Sequence, residues 1–102
     1  MHDIVKYEAE KDKLTCFFAG RLDSVVSEII EDDVFDHVQQ SKCTTIFDFK
    51  EVEYVSSAFL RVSIKAARAT PTMKITIVNA LPLIREVYEM TGLGRIFTFE
   101  CF

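Results

Sequence analysis

Between Thr44 and Ala69 the spacing of apolar side chains changes period, and the rest of the chain is arranged around that change. Thr44-Thr45-Ile46-Phe47-Asp48-Phe49 is β-branched and aromatic and too short for a helix, so it predicts a buried strand. A six-residue link, Lys50 to Val55, follows it. Beyond the link, Ala58, Leu60, Ile64, Ala67 and Arg68 run at helical spacing. Ser56 can accept a hydrogen bond from a free N–H of that helix's first turn. Ser57 then falls at or near the first helical position, facing out over a strand end.

The flanking segments repeat the alternation. Ile4 to Ala9 and Lys13 to Ala19 are strand-like runs joined by Glu10-Lys11-Asp12, a link short enough for an antiparallel hairpin. Gly20 supplies backbone freedom after the second run, and Asp23 or Ser24 can cap the next helix. From Val26 the apolar stripe is Ile29, Ile30, Val34, Phe35 and Val38. The opposite face carries Glu28, Glu31, Asp32, Asp33 and Asp36; it reads as a solvated face in preference to a dock for a basic partner. Thr70-Pro71-Thr72 ends the Ser57 helix, and Met73 to Val78 makes another strand. Pro82 opens a helix with Leu83, Val87 and Met90 on its apolar stripe and Ile84 and Tyr88 beside them, ended by Thr91-Gly92. Ile96 to Phe102 reads as a last strand or an apolar tail on the sheet.

Helices between strands demand right-handed parallel crossovers, and the opening hairpin adds an antiparallel pair. The predicted fold is α/β, a single domain over residues 1–102. Its mixed sheet holds about four to five strands, with about three to four helices packed mainly on one side.

With 102 residues, 49% of them hydrophobic, the chain can bury one core. A net charge of −4 gives no argument for nucleic-acid binding, which needs clustered Lys and Arg. No apolar run approaches the roughly 20 residues of a bilayer span, and Met1-His2-Asp3 does not begin a secretion signal, so membrane insertion is not expected and the expected location is cytoplasmic. Cys16, Cys43 and Cys101 are odd in number and widely spaced, which suits reduced, mostly buried thiols. His2 and His37 lack neighbours at metal-ligand spacing, so neither a metal nor another cofactor is expected.

Three stretches resemble the STAS family, named for sulfate transporters and anti-sigma factor antagonists. They are Phe18-Ala19-Gly20-Arg21-Leu22-Asp23, the Asp48 to Arg61 segment, and Val78-Asn79-Ala80-Leu81-Pro82-Leu83-Ile84-Arg85 continuing through Thr91-Gly92-Leu93-Gly94-Arg95-Ile96-Phe97. In the bacterial anti-sigma factor antagonists that this resembles, Asp-Ser-Ser/Thr-Gly-Leu-Gly follows the central strand. Its first Ser is phosphorylated by a partner kinase that is also the anti-sigma factor. Laid on this sequence, Ser56 takes the Asp position, Ser57 the phosphoacceptor position, Phe59 and Arg61 the two Gly positions, and Leu60 keeps the Leu. The resemblance therefore implies Ser57, with Ser56 beside it, as phosphoacceptor, in a frame that has lost its Asp and both glycines.

The function implied is a protein-interaction switch, not an enzyme. Its partner would be an anti-sigma factor/serine kinase or a phosphatase, and Asp23, Phe59, Leu60 and Arg61 are the expected contact residues. Phe59 is equally suited to tucking against Tyr54 or the sheet, and Arg61, four residues from Ser57, could pair with a phosphate there or stand as a surface charge. The alternative is a non-phosphorylated STAS adaptor docking onto a transporter ATPase or another regulatory complex. No Gly-rich phosphate loop or Ser-His-Asp grouping supports catalysis, and Asp23 and Asp48 read as a helix cap and a strand end. A monomer or weak homodimer is expected.

Overall fold

A computed structural model describes residues 4–100. Its elements are β1 (Val5–Ala9), β2 (Lys13–Leu22), α1 (Ser24–Ser41), β3 (Thr44–Val55), α2 (Ser57–Arg68), β4 (Ile75–Val78), α3 (Pro82–Met90), a 3-10 turn (Leu93–Arg95) and β5 (Phe97–Glu100). His2 and Cys101 lie outside the described residues, as does the end of the expected Ile96 to Phe102 strand.

The five strands lie in the order β1-β2-β3-β4-β5. β1 and β2 form the antiparallel hairpin, and every later pairing is parallel. Each strand–helix–strand unit therefore steps the same way along the sheet. Since such crossovers are right-handed, α1, α2 and α3 must all fall on one face. Burial follows from this. Cys16, Phe18, Phe47, Phe49, Ile75, Ile77 and Phe97 point under the helices and are buried. The alternate positions Lys6, Phe17, Thr98 and Glu100 are exposed on the other face, with Ile46 and Asp48 half-buried there.

The expected link at Lys50 to Val55 is strand. Leu22 pairs with Val55, Arg21 with Tyr54, and Gly20 with Val52, so β3 runs without interruption to the residue before Ser56. Register shifts lie between Phe17 and Ala19 and between Gly20 and Arg21, and Gly20 takes the left-handed conformation at φ 85°. The irregularity puts the buried positions of β3 at Phe49, Val52 and Val55, three residues apart, so the period-two signal of a strand is lost.

An aromatic group fills the space under the helices. Phe18 meets Phe47 at 5.0 Å and Phe59 at 5.1 Å, both edge-on, and Tyr88 meets Phe97 at 5.4 Å. Ser63 Oγ donates to the Phe59 carbonyl, which leaves the Tyr88 hydroxyl to donate to Ser63 Oγ at 2.7 Å. Two buried polar groups are thus satisfied inside an apolar core. On α1 the buried line is Ile30, Val34 and Val38, while Ile29 is exposed. The acidic face is partly employed: Lys65 of α2 reaches Glu31 and Asp32, and Tyr7 donates to Asp33 at 2.8 Å. His37 stacks on the Tyr7 ring at 3.6 Å.

On α3 the buried residues are Ile84 and Tyr88, which reverses the expected stripe. Leu83 is 74% and Met90 77% exposed, with Val87 beside them at the surface. Both lines are apolar, and over nine residues periodicity alone does not choose between them.

Two stability predictions follow from the core. Phe59→Ala removes a ring wedged against Phe18 and Phe49, and the unfolding free energy from urea titration drops by about 3–5 kcal/mol. Burial pushes the Cys16 thiol up from 9.0 to about 12, with the Asp33 carboxylate adding to the effect. The unfolded chain loses this proton first, so the stabilisation is complete below pH 9 and declines as pH rises toward 12, by as much as about 1.4 kcal/mol per pH unit. Urea midpoints across that window register the decline, and Cys16→Ala flattens its first part.

Candidate functional site

The parallel pairing of β2 and β3 to their last residues has a local consequence. Both strands end at the same edge of the sheet, and each runs directly into a helix, so the starts of α1 and α2 stand side by side. Asp23 caps α1, its carboxylate accepting from Val26 N–H at 2.9 Å. Ser56 caps α2, its Oγ accepting from Phe59 N–H at 3.2 Å. The expected cap assignments for both residues agree with these bonds.

Ser56 also has a second task. Its Oγ donates to the Leu22 carbonyl at 2.9 Å, and its backbone N–H donates to the same carbonyl at 3.0 Å. A hydroxyl can accept from a helix N–H and donate to a carbonyl at once; an ionised carboxylate can only accept. Serine at this position therefore ties the end of β2 to the start of α2, which an aspartate could not do through its side chain.

Ser57 is the first residue of α2 and is exposed. No acidic side chain lies in this first turn, so the positive end of the helix dipole is uncompensated where the Ser57 hydroxyl stands. Arg61, one turn further on, is exposed and lines a small groove of about 140 Å³ with Ser24, Ser27, Glu28, Glu31 and Ala58. The structure thus brings together Asp23, Ser56, Ser57 and Arg61 at adjoining helix starts.

Phe59 and Leu60 require correction. Phe59 is wholly buried against Phe18 and Phe49, and Leu60 is only 8% exposed, so neither stands at the surface as a contact anchor. The chain turns the side chain at position 59 inward because the Ser56 cap sets the phase of α2, aiming Phe59, Val62, Ser63 and Ala66 at the sheet.

The exposed apolar surface beside Ser57 comes from other residues. Tyr54 at the end of β3 is 39% exposed, and the Arg21 guanidinium stacks on its ring at 4.4 Å. Tyr54, Val55, Leu83, Ile84 and Val87, with Glu53, line a groove of about 270 Å³ between the end of β3 and α3. Its sequence signal was the line Leu83, Val87, Met90, which has helical spacing and carries no mark of which way it faces.

Between α1 and α2 the Lys65 ammonium sits 2.9 Å from Asp32 and 3.2 Å from Glu31, and these hydrogen bonds, Asp32 first, raise its pKa. Among the described residues no group of three or more His, Cys, Asp or Glu side chains could hold a metal ion, and no helix is long and apolar enough to cross a membrane. Cys16 is buried and Cys43 half-buried, both as free thiols.

The two serines separate in a mutational test. Ser56→Ala loses the cap and leaves the Leu22 carbonyl with one donor fewer, lowering stability by about 1–2 kcal/mol in thermal unfolding. Ser57→Ala changes it by less than about 0.5 kcal/mol.

The STAS domain family profile matches residues 5–102. No curated protein sequence matches detectably. Solved structures do. A STAS domain protein described as an anti-sigma-factor antagonist, from Planctomyces limnophilus, superposes with a TM-score of 0.85 at 15% identity, over 95% of this chain and 88% of its own. The anti-sigma factor antagonist SpoIIAA in its unphosphorylated form gives 0.78 at 19% identity, over 94% and 87%. SpoIIAA of Bacillus in the phosphorylated form, described as a cell fate determinant, gives 0.71 at 19% identity, over 94% and 90%. At these identities the likeness is one of fold, a five-stranded mixed sheet with three helices. With the family profile covering all but the first four residues, the chain belongs to the STAS domain family.

Proposed function

We propose that this domain is a regulatory interaction module of the anti-sigma factor antagonist type, which binds a protein partner over the start of α2 and is switched by phosphorylation of Ser57. The observation that carries the reading is the exposure of Ser57 at the uncompensated N-terminus of α2, two residues beyond Val55, which lines the apolar groove with Tyr54, Leu83 and Val87. Such a position suits both roles. The groove supplies desolvatable contact area, and the exposed Ser57 hydroxyl can take a charge that the helix itself tolerates.

The partner expected from the family resemblance is a serine kinase that is also an anti-sigma factor, or the phosphatase that opposes it. That kinase would transfer a phosphoryl group to Ser57 Oγ, bringing about −1.5 to −2 charges to the positive end of α2 with Arg61 one turn away. The fold gains or keeps stability; the partner interface loses it, because docking would have to desolvate the new charge. Asp23 and Arg61 border this surface, and the contact role once expected of Phe59 and Leu60 passes to Leu83 and Val87. The domain acts by binding, without chemistry of its own, and a cytoplasmic setting suits a partner that regulates a sigma factor.

Affinity capture from the native host with wild type, Ser57→Ala and Ser57→Asp tests the switch. Ser57→Asp weakens partner binding about tenfold or more at an unchanged melting temperature, whereas Ser57→Ala binds permanently. Leu83→Ala with Val87→Ala costs about 1 kcal/mol or more of partner affinity without unfolding the domain. Equal binding by all three position-57 forms, with no phosphate on Ser57 or Ser56 in cells by mass spectrometry, replaces the switch with a constitutive adaptor of a transporter ATPase or similar complex.

A further inference from the structure

We propose that the groove between the first turns of α1 and α2 is a binding site for a primary carboxamide, the head of an asparagine or glutamine side chain or of a free amide. The proposal is independent of phosphorylation at Ser57. The groove has a volume of about 140 Å³ and is lined by Ser24, Ser27, Glu28 and Glu31 of α1 and by Ala58 and Arg61 of α2. At about 30 Å³ for each water-sized atom, it has room for roughly five non-hydrogen atoms.

What points to a ligand is Ser27. The residue is 1% exposed, and its Oγ has no hydrogen-bond partner among the described residues. A serine inside a helix can turn its hydroxyl back to the carbonyl four residues earlier, as Ser63 does to Phe59 at 3.0 Å. Ser27 makes no such bond to Asp23, so a buried hydroxyl is left unused in the wall of the groove.

Charge across the groove is left unmatched as well. One turn further along α2, Lys65 bridges the two helices by bonding Glu31 and Asp32. Arg61 and Glu28 face the same groove from opposite helices, yet among the described residues neither lies within ion-pairing distance of an opposite charge. A cation entering here meets the Arg61 guanidinium, and an anion meets the Glu28 and Glu31 carboxylates, so either net charge is opposed. A neutral head is opposed by neither. Because the two charges stand on different walls, that head must present its donor and its acceptor on different atoms, which a hydroxyl does not do. A carboxamide does: its oxygen can accept from Arg61 and from the Ser27 hydroxyl, while its NH2 donates to Glu28.

Three probes of one shape and different charge test the site: propionamide, propionate and propionamidinium, each titrated into the isotopically labelled full chain. Propionamide shifts the amide resonances of Ser24 to Glu28 and Ala58 to Arg61 saturably, at millimolar concentrations or above, and the charged probes bind more weakly. Ser27→Ala weakens propionamide about fivefold while the melting temperature holds or rises, since the hydroxyl removed has no partner in the fold. Arg61→Met turns the preference toward propionamidinium and Glu28→Met toward propionate. A blocked glutamine, N-acetylglutamine methylamide, separates the sources: binding at least as tight as that of propionamide assigns the site to a protein side chain, and weaker binding assigns it to a free amide. No saturable shift with propionamide, equal binding of all three probes, or a fall in melting temperature on Ser27→Ala overturns the proposal. Ser27→Ala leaves the Ser57 hydroxyl in place, so failure here leaves the phosphorylation test intact, and failure of the Ser57 variants leaves the Ser27 result standing.

Discussion

The Leu22 carbonyl is the point on which the rest of the site depends. It accepts from both the backbone N–H and the side chain of Ser56, and it lies where β2 and β3 finish their parallel pairing. One acceptor thereby fixes how far β3 runs, where α2 begins and in which phase it turns. Phase then decides that Phe59 enters the core while Ser57 and Arg61 remain outside. The buried bonds are short-range in space but join residues 34 apart in sequence, which is why a local change at Ser56 acts on two elements at once.

Much of this architecture was legible in the order of apolar segments. Alternation of strand and helix after one hairpin, with crossovers of fixed hand, leads to a mixed sheet covered on one face. The caps at Asp23 and Ser56 were readable because a short polar side chain ahead of a helical stripe has few other uses. What escaped were facts about direction and register. Lys50 to Val55 hid a strand because at each register shift β3 carries one residue more than β2, which moved its buried positions out of period two. As a sequence position Phe59 suits surface and core equally, and only the rotational phase set by the Ser56 cap turns it inward. On α3, two apolar lines competed for one core, and the line containing Tyr88 won because its hydroxyl finds Ser63 inside.

The surface around Ser57 is divided by chemistry. Toward α3 it is apolar, with Tyr54 steadied by Arg21. Along α2 it is cationic, with α1 carboxylates neutralising Lys65 and leaving the arginines at either end. A phosphate at the junction would be welcomed by the helix terminus and by Arg61, yet would spoil the adjoining apolar groove for docking. The same added charge can therefore be harmless to the fold and decisive for a complex.

The strands lie across the sheet in the order in which they occur in the chain. No strand has to be inserted between two that are already paired, so during synthesis each newly emerged strand finds its neighbour in place and its open edge unoccupied. The protein can be assembled from the ribosome outward, one crossover at a time. The edge left unpaired at each pause is the one that the next strand will cover, which limits the time that any long strand is open to pairing with another molecule.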